Sequence, residues 1–174
     1  LSIRMARVFK NGVVDTSFSS QLEPHFRANI LHVDPLGRIL VFHLYGGSEE
    51  TPNDDIDIWP LLPDGSIDPS WNTFDLALSE TDNAGGSART SIYNDDGSYF
   101  IYGRFNFVNG VPRSSICHVD SLGILLDTFD DFPFLLDEES QPQLALFSDE
   151  PQFFDAVKTP DGGLLIGGRF THYQ

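Results

Sequence analysis

The chain is 174 residues long, enough for one domain with a packed core and too short for two large ones. Acidic residues outnumber basic ones 26 to 10, and the resulting formal charge of −16 repels phosphate backbones and anionic lipid heads, so nucleic-acid and membrane binding are not expected. Cys117 is the only cysteine, which excludes an intrachain disulfide and a thiol metal cluster, and no apolar stretch reaches the ~18 residues of a membrane span.

In chain order the dominant signals are six glycines, each following a turn-prone or small-loop residue and preceding an apolar run: Asn11-Gly12, Leu36-Gly37, Asp64-Gly65, Asp96-Gly97, Leu122-Gly123 and Asp161-Gly162. A two-residue hairpin loop needs positive φ, which glycine adopts freely and for which Asn-Gly and Asp-Gly are the preferred fillings. The sequence therefore predicts a hairpin at each, with the two Leu-Gly pairs the poorer matches. Gly12, Gly65 and Gly123 carry an aromatic six residues later: Phe18, Trp71 and Phe129. Gly37, Gly97 and Gly162 precede the longer runs "RILVFHLY", "SYFIYGRF" and "GLLIGGRF", with Tyr45, Phe105 and Phe170 eight residues on.

Glycines of the first kind are 53 and 58 residues apart and those of the second 60 and 65. Internal repetition at such lengths marks solenoids and propellers. Two hairpins per unit make four strands, and four-stranded sheets set radially are propeller blades. The expected fold is all-β: a β-propeller of four-stranded antiparallel blades, about three repeat units in one domain, with one blade split between the termini. Residues 1–20 would be the later half of the split blade, 21–72 and 73–130 would be blades, and 131–174 an acidic insertion followed by the earlier half. A β-sandwich is the competing architecture, since its strands need no fixed period. Helical signals are confined to "TFDLALSE", 73–80, and "SQPQLALFSDEPQFF", 140–154. Three blades fall below the usual four to eight. The chain is expected either to be a fragment of a longer repeat protein or to complete a ring with copies of itself.

The stretch "DGSYFIYGRFNFVNGVPRSSICHVDSLG", 96–123, resembles the delta-60 repeat, a bacterial β-propeller repeat. The likeness lies in Asp96-Gly97, Gly103 with Phe105, Val108-Asn109-Gly110 with Arg113, and Gly123. The later half of that repeat is matched by "NGVVDTSF", 11–18, and "DGSIDPSW", 64–71, and its earlier half by "PDGGLLIGGRF", 160–170. The segment "FHLYGGSEETPNDD" departs from the pattern, and "LGILLDTF" lacks the acid supplied elsewhere by Asp15 and Asp68. The resemblance implies a propeller found in secreted, surface or phage-associated proteins, with no common catalytic activity and no active site to carry over.

The residues themselves offer little catalysis. There is no nucleophile elbow, zinc helix, phosphate loop or calcium-loop spacing. His25, His32, His43, His118 and His172 stand singly, and the arginines show no cluster. "SIDPSW", Ser66 to Trp71, is faintly similar to the Asp-box of sialidase propellers, but Asp15 and Asp68 read as straps whose carboxylates bind nearby backbone amides. Asp54, Asp55 and Asp57, with Asn53, offer the hard oxygens that calcium takes, and no other cofactor is expected. The sequence thus points to a non-catalytic binding or structural module of an extracellular, cell-surface or virion-surface assembly. Its expected partners are proteins, copies of itself or glycan, and the acidic insertions at 46–57 and 130–151 are its expected contact elements. The alternative is a propeller-type hydrolase or lyase acting on glycans.

Overall fold

The computed structural model describes residues 5–22, 28–43, 58–73, 75–78, 86–127, 134–135, 152–170 and 172–173. These residues form an all-β, antiparallel structure without an α-helix. Strands β1 (Ala28–Val33), β2 (Ile39–His43) and β3 (Ile58–Leu61) make one sheet in that order. A second pairs β5 (Ser87–Tyr93), β6 (Tyr99–Arg104) and β9 (Ile116–Val119), and a third holds β11 (Gln152–Lys158) and β12 (Leu164–Arg169). Two small sheets complete the set: β4 (Leu76–Ala77) with β7 (Phe107–Val108) and β8 (Val111–Pro112), and β10 (Phe134–Leu135) with β13 (His172–Tyr173). Leu76 and Ala77 are strand residues because they pair with Val108 and Phe107, which overrides the local helical preference of "TFDLALSE". Residues 152–154, the end of the other helical signal, likewise belong to β11.

The repeat extends to register. Hairpins β1–β2, β5–β6 and β11–β12 share one pairing, and each carries a bulge at the same place, beside Asn29, Arg89 and Phe154. All six turn glycines have φ between 76° and 93°. The loops differ from the two-residue form, however. In the first, the Gly12 amide donates to the Phe9 carbonyl and the Phe9 amide to the Val13 carbonyl, leaving three residues in the loop, and the other five repeat this bonding. Only the glycine then needs positive φ, as in a type I turn closed by a glycine bulge. Leu36 and Leu122 are therefore as acceptable before it as Asn or Asp. The one two-residue Asn-Gly hairpin is Asn109-Gly110, where both residues have positive φ and Val108 pairs with Val111.

Among the described residues the sheets have two or three strands, not the four expected per blade. The fourth segment is reduced to single bridges, Val8 to Val14, Leu61 to Ile67 and Val119 to Leu125. One residue beyond the bridge, Asp68 takes the Ser70 amide and hydroxyl on its carboxylate, and the Trp71 amide donates to its carbonyl. Asp15 makes the same turn with Ser17, whereas the third unit also stops at one bridge with Leu126 in the acid's place. Met5–Val8 share no ladder with β12 among the described residues.

Three apolar clusters lie between successive sheets. Met5 packs with Ile39, Val41 and Leu61. Leu40, Phe42 and Ile58 meet Trp71, Tyr99, Ile101 and Cys117, and Tyr102 and Ile116 meet Phe153 and Ala156. Alternate residues of β2, and likewise of β6, point into different clusters, which is why their sequences read as unbroken apolar runs.

Candidate functional site: the joints between units

Two arginines of the described region, Arg7 and Arg38, sit where one unit meets the next. At the first joint the Arg7 guanidinium bonds the Asp15 carboxylate at 2.6 and 2.7 Å, lies 5.5 Å from the Phe18 ring centre and donates to the Pro63 carbonyl at 2.5 Å. At the second, the Arg38 guanidinium approaches Asp68 at 3.9 Å, stacks 5.1 Å from the Trp71 ring centre and donates to the Ser121 carbonyl at 2.6 Å. Asp15 and Asp68 occupy the same repeat position, as do Phe18 and Trp71, and Pro63 and Ser121. The arginines do not: Arg7 precedes Gly12 by five residues and Arg38 follows Gly37. Two different segments, one before the bridge residue Val8 and one in the turn before β2, thus deliver a guanidinium to one kind of slot.

Backbone bonds repeat with the side chains. The Ser19 amide donates to the Asp64 carbonyl at 2.9 Å, and the Asn72 amide to the Leu122 carbonyl at 2.7 Å, each running from the residue after the aromatic to the residue before the next glycine. These contacts bring the chain onto the glycine itself. A methyl group on Gly65 would stand 2.8 Å from the Ser19 carbonyl, and one on Gly123 would stand 2.5 Å from the Trp71 indole nitrogen. At Gly12 nothing lies within 4 Å.

The second joint is the more elaborate. Tyr99 donates to Asp34 at 2.6 Å, and Asp34 also accepts from the Arg38 side chain and from the Leu36 and Arg38 amides. Trp71 meets the Tyr99 ring edge-on at 5.3 Å. Burial acts to raise the Asp34 pKa, but the hydrogen bonds from Tyr99 and Arg38 outweigh it and hold the carboxyl below its usual range. Burial and the bond to Asp34 push the Tyr99 hydroxyl above the ordinary tyrosine value. At the third joint Tyr102 takes the Ala156 amide at 2.9 Å and donates to Asp155, and burial raises it to about 12.

Compared with known proteins, the chain matches no family model, no curated protein and no solved structure. The resemblance to delta-60 repeats therefore stands on its motif residues alone.

The straps within the turns come in two forms. Asn11, Asp64, Asp96 and Asp161, each just before the glycine, accept the amide just after it. In the two Leu-Gly turns the carboxylate sits three residues before the glycine, where Asp34 and Asp120 each take two amides. The signal in the sequence is "VDPLG" and "VDSLG". Hydrogen bonds from the Ser17 hydroxyl and amide lead the effects that lower the Asp15 pKa, and Ser66 and Ser98 act in the same way on Asp64 and Asp96.

One grouping has the residue types of a hydrolase. Ser98 lies 2.8 Å from the His118 ring and donates to Asp96 at 2.6 Å, while Asn94 donates to Ser98. Carboxylate and imidazole meet the same hydroxyl in parallel, which is a turn strap and not the relay that activates a nucleophile. Ser98 is also buried.

Of the other sequence-selected residues, Phe105 lies in the cluster with Trp71, and Phe170 packs edge-on against Phe153 at 5.7 Å. Phe129 and the trio Asp54, Asp55 and Asp57 lie outside the described residues. Among the described residues no group of His, Cys, Asp or Glu could hold a metal ion.

Proposed function

We propose that the chain is a segment of a β-propeller related to the delta-60 repeats, working as a non-catalytic binding or structural module in an extracellular, cell-surface or virion-surface assembly. The observation that carries this reading is the use of the two joint arginines. Arg7 and Arg38 each hold a carboxylate and an aromatic of one unit and a turn carbonyl of the next. A guanidinium spent on rigid positioning of successive units serves a platform, on which loops carry recognition. Protein or glycan is the partner class that a −16 chain leaves open.

The test is incubation with a panel of polysaccharides, scoring both retained glycan and newly formed reducing or unsaturated ends. The module reading expects no product from any member of the panel. Turnover that persists after repeated purification would replace it with the glycan-processing alternative.

A further inference from the structure

The inner faces of the stack are covered on both sides, and the two outermost are bare. Val8, Leu61 and Val119 hold one repeat position, four residues before a glycine; Leu61 and Val119 are 0% exposed, but Val8 is 55% exposed. Leu40, Phe100 and Leu165 hold another, three residues after a glycine; Leu40 is 0% exposed, Phe100 is part-buried and Leu165 is 65% exposed. The first bare face belongs to Met5–Val8 and the second to β12.

These two pieces are complementary. β2 pairs with β3 and β6 with β9 in one register, Ile39 opposite Leu61 and Tyr99 opposite Val119. By repeat position β12 corresponds to β2 and β6, and Met5–Val8 corresponds to β3 and β9, yet neither has that partner among the described residues. The shared register places Leu164 opposite Val8, Leu165 opposite Arg7, Ile166 opposite Ala6 and Gly167 opposite Met5.

We infer that Met5–Val8 of one copy adds as a strand to β12 of a second copy, along the edge at Leu164–Gly167 that has no ladder partner among the described residues. This deepens the module reading, and rests on it, by naming the partner as the chain itself. In the joined sheet Val8 turns toward the second copy's β5–β6–β9 sheet, as Val119 turns toward Leu40 and Phe42. Leu165 turns toward the first copy's β1–β2–β3 sheet, into the place that Leu40 holds at the next joint. Both bare residues are covered by one contact. Pairing within one chain is disfavoured by the order of the stack, since Met5 packs on β2 while β11 packs against β5 and β6. Closing that gap in one chain would need a ring of three sheets, below the four to eight that rings use, whereas two copies supply six. The contact is head-to-tail and closes when the rotation per sheet suits it.

The test pairs the native mass of the chain with cysteine cross-linking. The expected mass is twice the 19.4 kDa of one chain. Ala6→Cys with Ile166→Cys should give a reducible link between two chains, because directly opposed strand residues lie within disulfide reach. Ala6→Cys with Leu165→Cys, which puts the thiols on opposite faces, should give none. Val8→Asp should shift the native chain to single-copy mass with its far-UV dichroism unchanged. A wild-type chain that keeps β dichroism and stays single at all concentrations would overturn the inference, as would a link formed within one chain. Either result leaves the module reading standing, because that reading fails on glycan turnover and not on mass.

Discussion

At the joint built on Arg7 the guanidinium side chain is 41% exposed and faces one carboxylate, whereas at the joint built on Arg38 it is 12% exposed and faces two. Both slots use the same carboxylate, aromatic and carbonyl positions. What separates them is the covering on the far side. The second joint lies beneath Tyr99 and the β5–β6–β9 sheet, while the first ends at Val8 and an open Gly12. A repeat position therefore specifies the geometry of a joint, and its neighbours decide how much that geometry contributes to stability.

The largest separation is expected from the aromatics. Trp71→Ala removes a buried indole shared by two units and should cost about 3–5 kcal/mol. Phe18→Ala, at the half-buried equivalent, should cost clearly less in the same urea titration. Equal losses would mean that the two joints are equally covered.

Arg38→Ala is next. It leaves Asp34 buried with its cationic partner gone, a change that costs about 3 kcal/mol or more where a buried pair is broken. Arg7→Ala should cost several-fold less, because the more exposed cation is screened by water. A double-mutant cycle between Arg38 and Asp34 should show strong coupling, and additive losses would contradict the described joint.

The glycines sharpen the comparison further. Both Gly12→Ala and Gly65→Ala meet the left-handed backbone cost of roughly 1–2 kcal/mol. At Gly65 the new methyl group also collides with the backbone at Ser19, so the second loss should exceed the first. If the two match in thermal melts, the close approach is wrong.

The smallest effect is a dependence on pH. Burial lowers the pKa of His118 from 6.5, so the unfolded chain binds the proton more readily. Stability from this source is present above pH 6.5 and declines as the pH falls below it. Asp34, lowered from 3.8 with burial opposed by the bonds of Tyr99 and Arg38, adds stability present above pH 3.8 and lost on further acidification. His118→Gln should shrink the upper step, to which the part-buried His32 also contributes, in urea midpoints measured from pH 8 to pH 3, and leave the lower one intact. An unchanged upper step would assign it to other groups.

The positions of the turns were legible because positive φ leaves few choices but glycine. Their form was not, since Asn-Gly statistics favour the two-residue loop and that loop occurs only at Asn109-Gly110 among the described residues. Asp34 and Asp120 could have been read as straps from their place three residues before a glycine. The missing fourth strand was visible only in part. The Asp-x-Ser turn was in the sequence, but the third unit also stops at one bridge with Leu126 in the acid's place. The joint arginines were hidden, because Arg7 and Arg38 sit at unrelated repeat positions and meet equivalent slots only once the sheets stack. Nothing in the local sequence of Leu76 and Ala77 could announce a strand that depends on Phe107 and Val108.

The central claim is that the first two joints are one repeated arrangement. Native-state hydrogen exchange at the Ser19 and Asn72 amides tests it most directly, because each donates to the turn carbonyl of the next unit and to nothing in its own ladder. The repeated joint predicts that both amides are protected well beyond an open loop, Asn72 more than Ser19, and that Trp71→Ala releases Asn72 while sparing Ser19. Exchange of either amide at the rate of an open loop in the wild-type chain would contradict it.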